Sequence, residues 1–144
     1  MSEDKFEICA RAVALHESKI LVCKNKEKGY CFFPGGHIEF GENAKSALVR
    51  EIKEELNMSI KNLSFIGTVE NIYTEDNQKH HEINLVFSVA LGKINDKSQE
   101  SHIEFILFDK DKFLREKVLP IALRKAVSKW LKNKKIFWAS QKTE

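Results

Sequence analysis

Short blocks of apolar residues, broken by polar or glycine-containing turns, dominate the first third of the chain. Glu7 to Leu15 and Lys19 to Lys24 read as paired strands around His16-Glu17-Ser18, and Tyr30 to Phe33 reads as a strand feeding a glycine turn. The period then changes. From Ala44 to Leu56 there is no Gly or Pro, good helix formers dominate, and Ala44, Ala47, Leu48, Ile52 and Leu56 recur at helical spacing. Leu63 to Ile72 and Glu82 to Leu91 are further predicted strands, separated by the polar loop Thr74 to Lys79, and Ile103 to Phe108 is the last. Lys110 to Phe113 follows as a short helical turn, and Pro120 to Asn133 as a helix with its proline near the start. Mixed strands flanked by two helices predict an α/β fold in which helices sandwich a mixed sheet.

Composition narrows the class. A chain of 144 residues with 42% hydrophobic and 31% charged side chains can build an ordinary core, so a single domain over residues 1–144 is expected. Its 24 basic and 21 acidic residues nearly balance, which argues against a dedicated nucleic-acid binder. Arg124, Lys125, Lys129, Lys132, Lys134 and Lys135 cluster late, interleaved with Leu123, Ala126, Val127, Trp130 and Leu131, and read as the solvated face of an amphipathic helix. Apolar runs such as Ile83 to Leu91 are too short to span a bilayer, and the first residues lack a signal pattern, so a cytoplasmic protein without a membrane partner is expected. Cys9, Cys23 and Cys31 are odd in number and form no C-x-x-C, which favours buried free thiols.

Candidate chemistry lies in the 44–56 helix. Glu51, Glu54 and Glu55 stand at i, i+3 and i+4, so their carboxylates share one face and overlap an edge of the apolar stripe. At about 6 Å and an effective dielectric near 20, each like-charged pair would repel by roughly 3 kcal/mol, so something positive is expected among them. Hard oxygen donors suit Mg²⁺ or Mn²⁺, with phosphate oxygens completing the shell. A bare glutamate-rich helix is ordinarily a solvated face. Here, however, Phe32-Phe33-Pro34-Gly35-Gly36 leads an apolar strand into a double glycine that permits close backbone approach, and Gly41 and the N-cap residue Asn43 start the helix.

Gly36, Glu42, Arg50-Glu51, Ile52, Glu54-Glu55 and Met58 carry the spacing of the Nudix box, and the segment closely resembles that motif. Asn57 stands where the family has a glycine; asparagine is the next best residue for a left-handed helix cap. The resemblance implies an α/β/α sandwich and a metal-dependent hydrolase of diphosphate linkages in small nucleotide substrates. It carries the metal-holding role to Glu51, Glu54 and Glu55, with the Gly36 carbonyl as a further ligand and Glu51 as a ligand or the water-activating base. Glu42 and Arg50 would orient the loop and helix. Relatives add a carboxylate from outside the box, for which Glu82, Glu100 and Glu104 are the candidates.

Two further residues are ambiguous. His37 could meet phosphate or simply face solvent, and Tyr73 could stack on a base or serve packing. The elements associated in the family with coenzyme A hydrolysis and with many ADP-ribose hydrolases are not evident. A nucleoside triphosphate therefore leads as substrate, ahead of dinucleoside polyphosphates, nucleotide sugars, ADP-ribose or an RNA 5′ end, with selectivity expected from a loop spanning Glu70 to His81. A reading from another class is a nucleotide sensor without activity, which the full set of box glutamates argues against.

Overall fold

The computed structural model describes residues 4–92 and 102–143. Two long antiparallel strands, β5 (Ile60–Glu75) and β6 (Gln78–Leu91), form its backbone, and β6 runs parallel to β1 (Lys5–His16). β1 turns back through Glu17 and Ser18, both at positive φ, into β2 (Lys19–Asn25). β3 (Cys31–Phe32) pairs with β2, and β4 (Gly35–His37) pairs with β1. Helix α1 (Ala44–Leu56) precedes β5; β7 (Ile103–Phe108), α2 (Lys110–Arg115), β8 (Val118–Leu119), α3 (Ile121–Asn133) and β9 (Phe137–Lys142) follow β6. The strand path is β8-β3-β2-β1-β6-β5-β9, with β4 and β7 attached to β1 and β2.

Alternation along the strands separates two cores. Ala10, Ala12 and Ala14 of β1 point to one side, where they pack with Leu48, Ile52 and Leu56 of α1. Val13 of β1 and Val86 of β6 point to the other, toward Leu123, Val127 and Trp130 of α3. The mixed sheet with a helix on each side is the expected α/β/α arrangement. The late lysines behave as expected too: Lys125, Lys129 and Lys132 are exposed while Leu123, Ala126, Val127 and Trp130 are buried.

Several expectations need correction. Ile103–Phe108 is not the last strand, because β8 and β9 follow it. β9 is held where Phe137 lies over Gly67 of β5, a position at which any Cβ would collide with the phenyl ring. The double glycine is not merely a turn but opens β4, and Gly35, at φ 136, passes so close to the Ala10 carbonyl that no side chain fits. Thr74 to Lys79 is no loop. Asp76 and Asn77, at φ 52 and 62, make a two-residue hairpin turn, so the segment from Glu70 to His81 is strand on both sides of it. Helix α3 starts at Ile121, with Pro120 as its N-cap.

Candidate active site

Helix α1 is fastened at both ends by the chain itself. The Asn43 side chain accepts a hydrogen bond from Ser46 N at 2.9 Å, satisfying one of the free donors of the first turn. At the other end Asn57 is left-handed, at φ 52 and ψ 40, and its N–H donates to the Lys53 carbonyl. Thus held, the helix places Glu55 on its buried side, 7% exposed, with Glu51 half-buried and Glu54 toward solvent.

Arg50 gathers the acids. Its Nε and Nη2 donate to the two oxygens of Glu42 at 2.8 and 2.9 Å, a bidentate pair across the turn. Nη1 donates to Glu51 Oε1 at 3.0 Å and reaches Glu54 Oε2 at 3.4 Å, while Nη2 also donates to the His37 carbonyl at 3.2 Å. The Arg50 hydrogen bonds, with help from the Glu39 N–H, hold the Glu42 carboxyl down at about 2. The Arg50 pKa rises in turn, Glu42 being the largest cause. This cluster ties the turn to the helix and leaves Glu51 fixed against β4. There the space that a Gly36 Cβ would fill is taken by the Glu51 carboxylate, 2.6 to 2.8 Å away.

Among the described residues, no three His, Cys, Asp or Glu side chains converge as a metal-holding group. Glu51 and Glu54 lean on Arg50 instead. The donor chemistry is nonetheless that of a hard cation: a glycine stretch with no Cβ to exclude a ligand, the Glu51 carboxylate lying directly on it, and the buried Glu55 on the same helix. These residues fit a hard divalent cation.

A cleft of about 500 Å³ opens on the α3 side of the sheet. Phe32, Tyr30 and Ile121 supply apolar wall, and Arg11, Asn71, Tyr73 and Glu82 supply polar groups from three neighbouring strands. Glu82 is 7% exposed; its Oε1 accepts from Asn84 Nδ2 at 3.0 Å and its Oε2 from the Tyr73 hydroxyl at 3.4 Å. Burial first, and then the negative Glu82, push the Tyr73 pKa up. Asn71 is also 7% exposed, and its Oδ1 has no hydrogen-bond partner.

Arg11 links cleft and acids. Its Nη1 donates to the Phe33 carbonyl at 3.2 Å and its Nε to Asn84 Oδ1 at 3.3 Å, and it feels both Glu82 and Glu55. Burial alone would lower the Arg11 pKa; its coupling to the Cys9 thiol, which ionises only at high pH, and to the Glu82 and Glu55 carboxylates more than offsets that.

Other expected residues fall as follows. Glu82 is in the cleft, Glu104 is exposed on β7 opposite Lys24, and Glu100 lies outside the described residues. His37 reaches Glu7 Oε2 at 3.3 Å, and the other Glu7 oxygen lies 3.2 Å from His80. Tyr73 lines the cleft, with its ring stacked on His80 at 4.7 Å between centroids. Glu70 is engaged by His81 at 2.7 Å and Ser140 at 2.8 Å, which lower its pKa in that order of weight.

Arg11, Asn71 and Gln141 were not singled out from the chain. The available signal was a polar residue interrupting an apolar strand, such as Arg11 between Ala10 and Ala12. The three thiols are buried, as expected, and burial pushes the Cys9 pKa up to about 11.

Curled mixed sheet, capped acid helix and adjoining cleft together define a Nudix-type architecture. The NUDIX domain family model matches residues 6–131, and the chain belongs to the Nudix hydrolase family, a family of enzymes. An ADP-ribose pyrophosphatase of Methanocaldococcus jannaschii is 31% identical over 113 residues, covering 69% of this chain and 66% of that protein, a little under two thirds. A Bacillus subtilis protein provisionally named as an 8-oxo-dGTP diphosphatase is 30% identical over 122 residues, covering 74% and 72%. In fold, the MutT protein of Bacillus halodurans superposes with a TM-score of 0.78 at 16% identity, covering 94% of this chain and 90% of that one. No helix among the described residues is long and apolar enough to cross a membrane.

Proposed function

We propose that this protein hydrolyses a diphosphate linkage in a nucleoside diphosphate derivative, and that a nucleoside triphosphate, cleaved to monophosphate and pyrophosphate, is its leading substrate. The observation carrying this reading is that Arg11, in the wall of the cleft, donates to the Phe33 carbonyl just ahead of the glycine stretch on which the Glu51 carboxylate of the acid helix lies. A nucleoside would occupy the cleft while its phosphates run past Arg11 toward the Gly36 backbone and the box glutamates.

Gly36, Glu51, Glu54 and Glu55 would hold Mg²⁺ or Mn²⁺, which supplies neutralisation of phosphate charge. The protein's own groups do the rest. Arg50 and Glu42 hold Glu51 in place. As base, Glu51 would take a proton from the water whose oxygen attacks phosphorus, while the bridging P–O bond breaks with its electron pair leaving on the departing phosphate; as ligand, it would help hold the cation. Arg11 contributes fixed positive charge where the chain of phosphates leaves the cleft.

The test is cleavage of a panel of nucleoside triphosphates, dinucleoside polyphosphates, nucleotide sugars and ADP-ribose, with Mg²⁺ or Mn²⁺, comparing parent and Glu55→Gln. Metal-dependent turnover lost in the variant supports the assignment, and equal turnover by the two sinks it. ADP-ribose is the second reading, favoured by the name of the M. jannaschii relative. AMP and ribose 5-phosphate as products, with triphosphates untouched, would move it to first place.

A further inference from the structure

We propose that the open edge of β9, beside α3, docks an extended acidic segment of a partner protein as an added strand. β9 ends the strand path and pairs only with β5 among the described residues. The Thr143 N–H donates to the Ile72 carbonyl at 2.8 Å, which fixes the parity of the residues that turn their backbone toward β5. By alternation the N–H and C=O groups of Trp138, Ser140 and Lys142 point outward, where no described strand lies beside them. Next to this edge a groove of about 510 Å³ runs between α3 and β9, and its lining shares no residue with the cleft.

The groove carries charge of one sign. From Lys117 to Thr143 there are eight basic residues and no Asp or Glu, in a chain whose net charge is only +3. Ala122 and Ala126 leave space along the helix, while Lys125, Lys129 and Lys135 line the groove, are exposed, and form no ion pair among the described residues. The exposed Trp138 adds apolar surface. A second copy of this chain would set the same lysines against one another, which like-charge repulsion disfavours. A nucleic acid would answer the lysines but cannot complete the backbone ladder. An acidic strand does both: its main chain pairs with Trp138, Ser140 and Lys142, and its alternate side chains, on the α3 side, meet Lys125 and Lys129. Lysines at a free edge ordinarily keep other strands away. Here the same charge sorts strands by sign.

Fluorescence anisotropy on the full chain tests this with a labelled peptide alternating Glu and Val. Three probes run beside it: the same peptide with Lys for Glu, the Glu peptide with an N-methylated backbone, and oligouridylate. The Glu peptide should bind about tenfold or more tighter than each of them. Lys125→Glu combined with Lys129→Glu should lower its affinity about tenfold while the thermal melt stays unchanged. Hydrogen exchange should slow at the Trp138, Ser140 and Lys142 amides when the peptide is bound. Equal binding of the Glu and Lys peptides, no binding of either, or an unaffected double variant overturns the proposal. Full binding by the N-methylated peptide, or unchanged exchange at those amides, also overturns it, because the ladder would then be unused. Oligouridylate binding tighter than the Glu peptide would assign the surface to single-stranded nucleic acid instead. The comparison of probes on the parent protein decides the matter even if the double variant fails to fold.

Discussion

The Glu51 carboxylate occupies the space that a side chain on Gly36 would need. Gly36→Ala would set a methyl 2.6 to 2.8 Å from three carboxylate atoms, so either the glutamate or β4 must move. Glu51 is half-buried and can swing outward, so the fold should survive. Catalysis should not: a displacement near 1 Å at a reacting group costs about 100-fold. Steady-state kinetics beside a thermal melt checks this, and an active Gly36→Ala would contradict it.

Replacing Arg50 separates charge from geometry. Lysine keeps the positive charge but cannot hold both Glu42 oxygens and Glu51 from one planar group. Arg50→Lys should therefore lose about tenfold or more in kcat/KM, and Arg50→Ala further still. Equal rates for parent and Arg50→Lys would show that the fork is dispensable.

Acid should loosen the turn before helix α1 in a defined window. The Glu42 pKa, about 2 when folded, lies below its unfolded value, so its contribution is fully present above about pH 4.5 and lost as pH falls toward 2. Glu42→Gln should flatten that part of the stability profile. Chemical denaturation at a series of pH values reads the difference between the two slopes.

At the opposite edge of the sheet, Gly67→Ala should push the Phe137 ring off β5. Overpacking of this kind costs about 1–3 kcal/mol. Urea denaturation gives the loss, and protection of β9 amides from hydrogen exchange shows whether that strand has detached. A stable variant with β9 still protected would mean the ring has room to slide.

The readable parts of this chain were those whose signals are local. Helix α1 declares itself through helix formers, Asn43 and Asn57 at its ends, and a 3.6-residue apolar period. The box spacing brings Glu42, Arg50 and Glu51 within one helix and its preceding turn, so their contacts follow from nearby residues. Val118–Leu119 is too short to show a period, and β9 follows a lysine-rich helix end with Trp138 pointing outward, which hides its alternation. Asp76-Asn77 lacks the glycine that usually marks a tight hairpin, so the turn looked like a longer loop. The cleft was least accessible of all. Arg11, Asn71, Glu82 and Gln141 come from four strands whose adjacency depends on the full sheet order.

Because Asn71 and Glu82 project from pleated strands rather than from a loop, their aim depends on the parity of the residues around them. Insertion of one residue ahead of Asn71 in β5 would turn it to the α1 side and bring a neighbour into its place. Ligand preference on such a surface can thus be rewritten by exchanging side chains at alternate positions, while changes in length are penalised. Variation in what this cleft accepts should accordingly take the form of substitutions at fixed spacing, with the scaffold around them left intact.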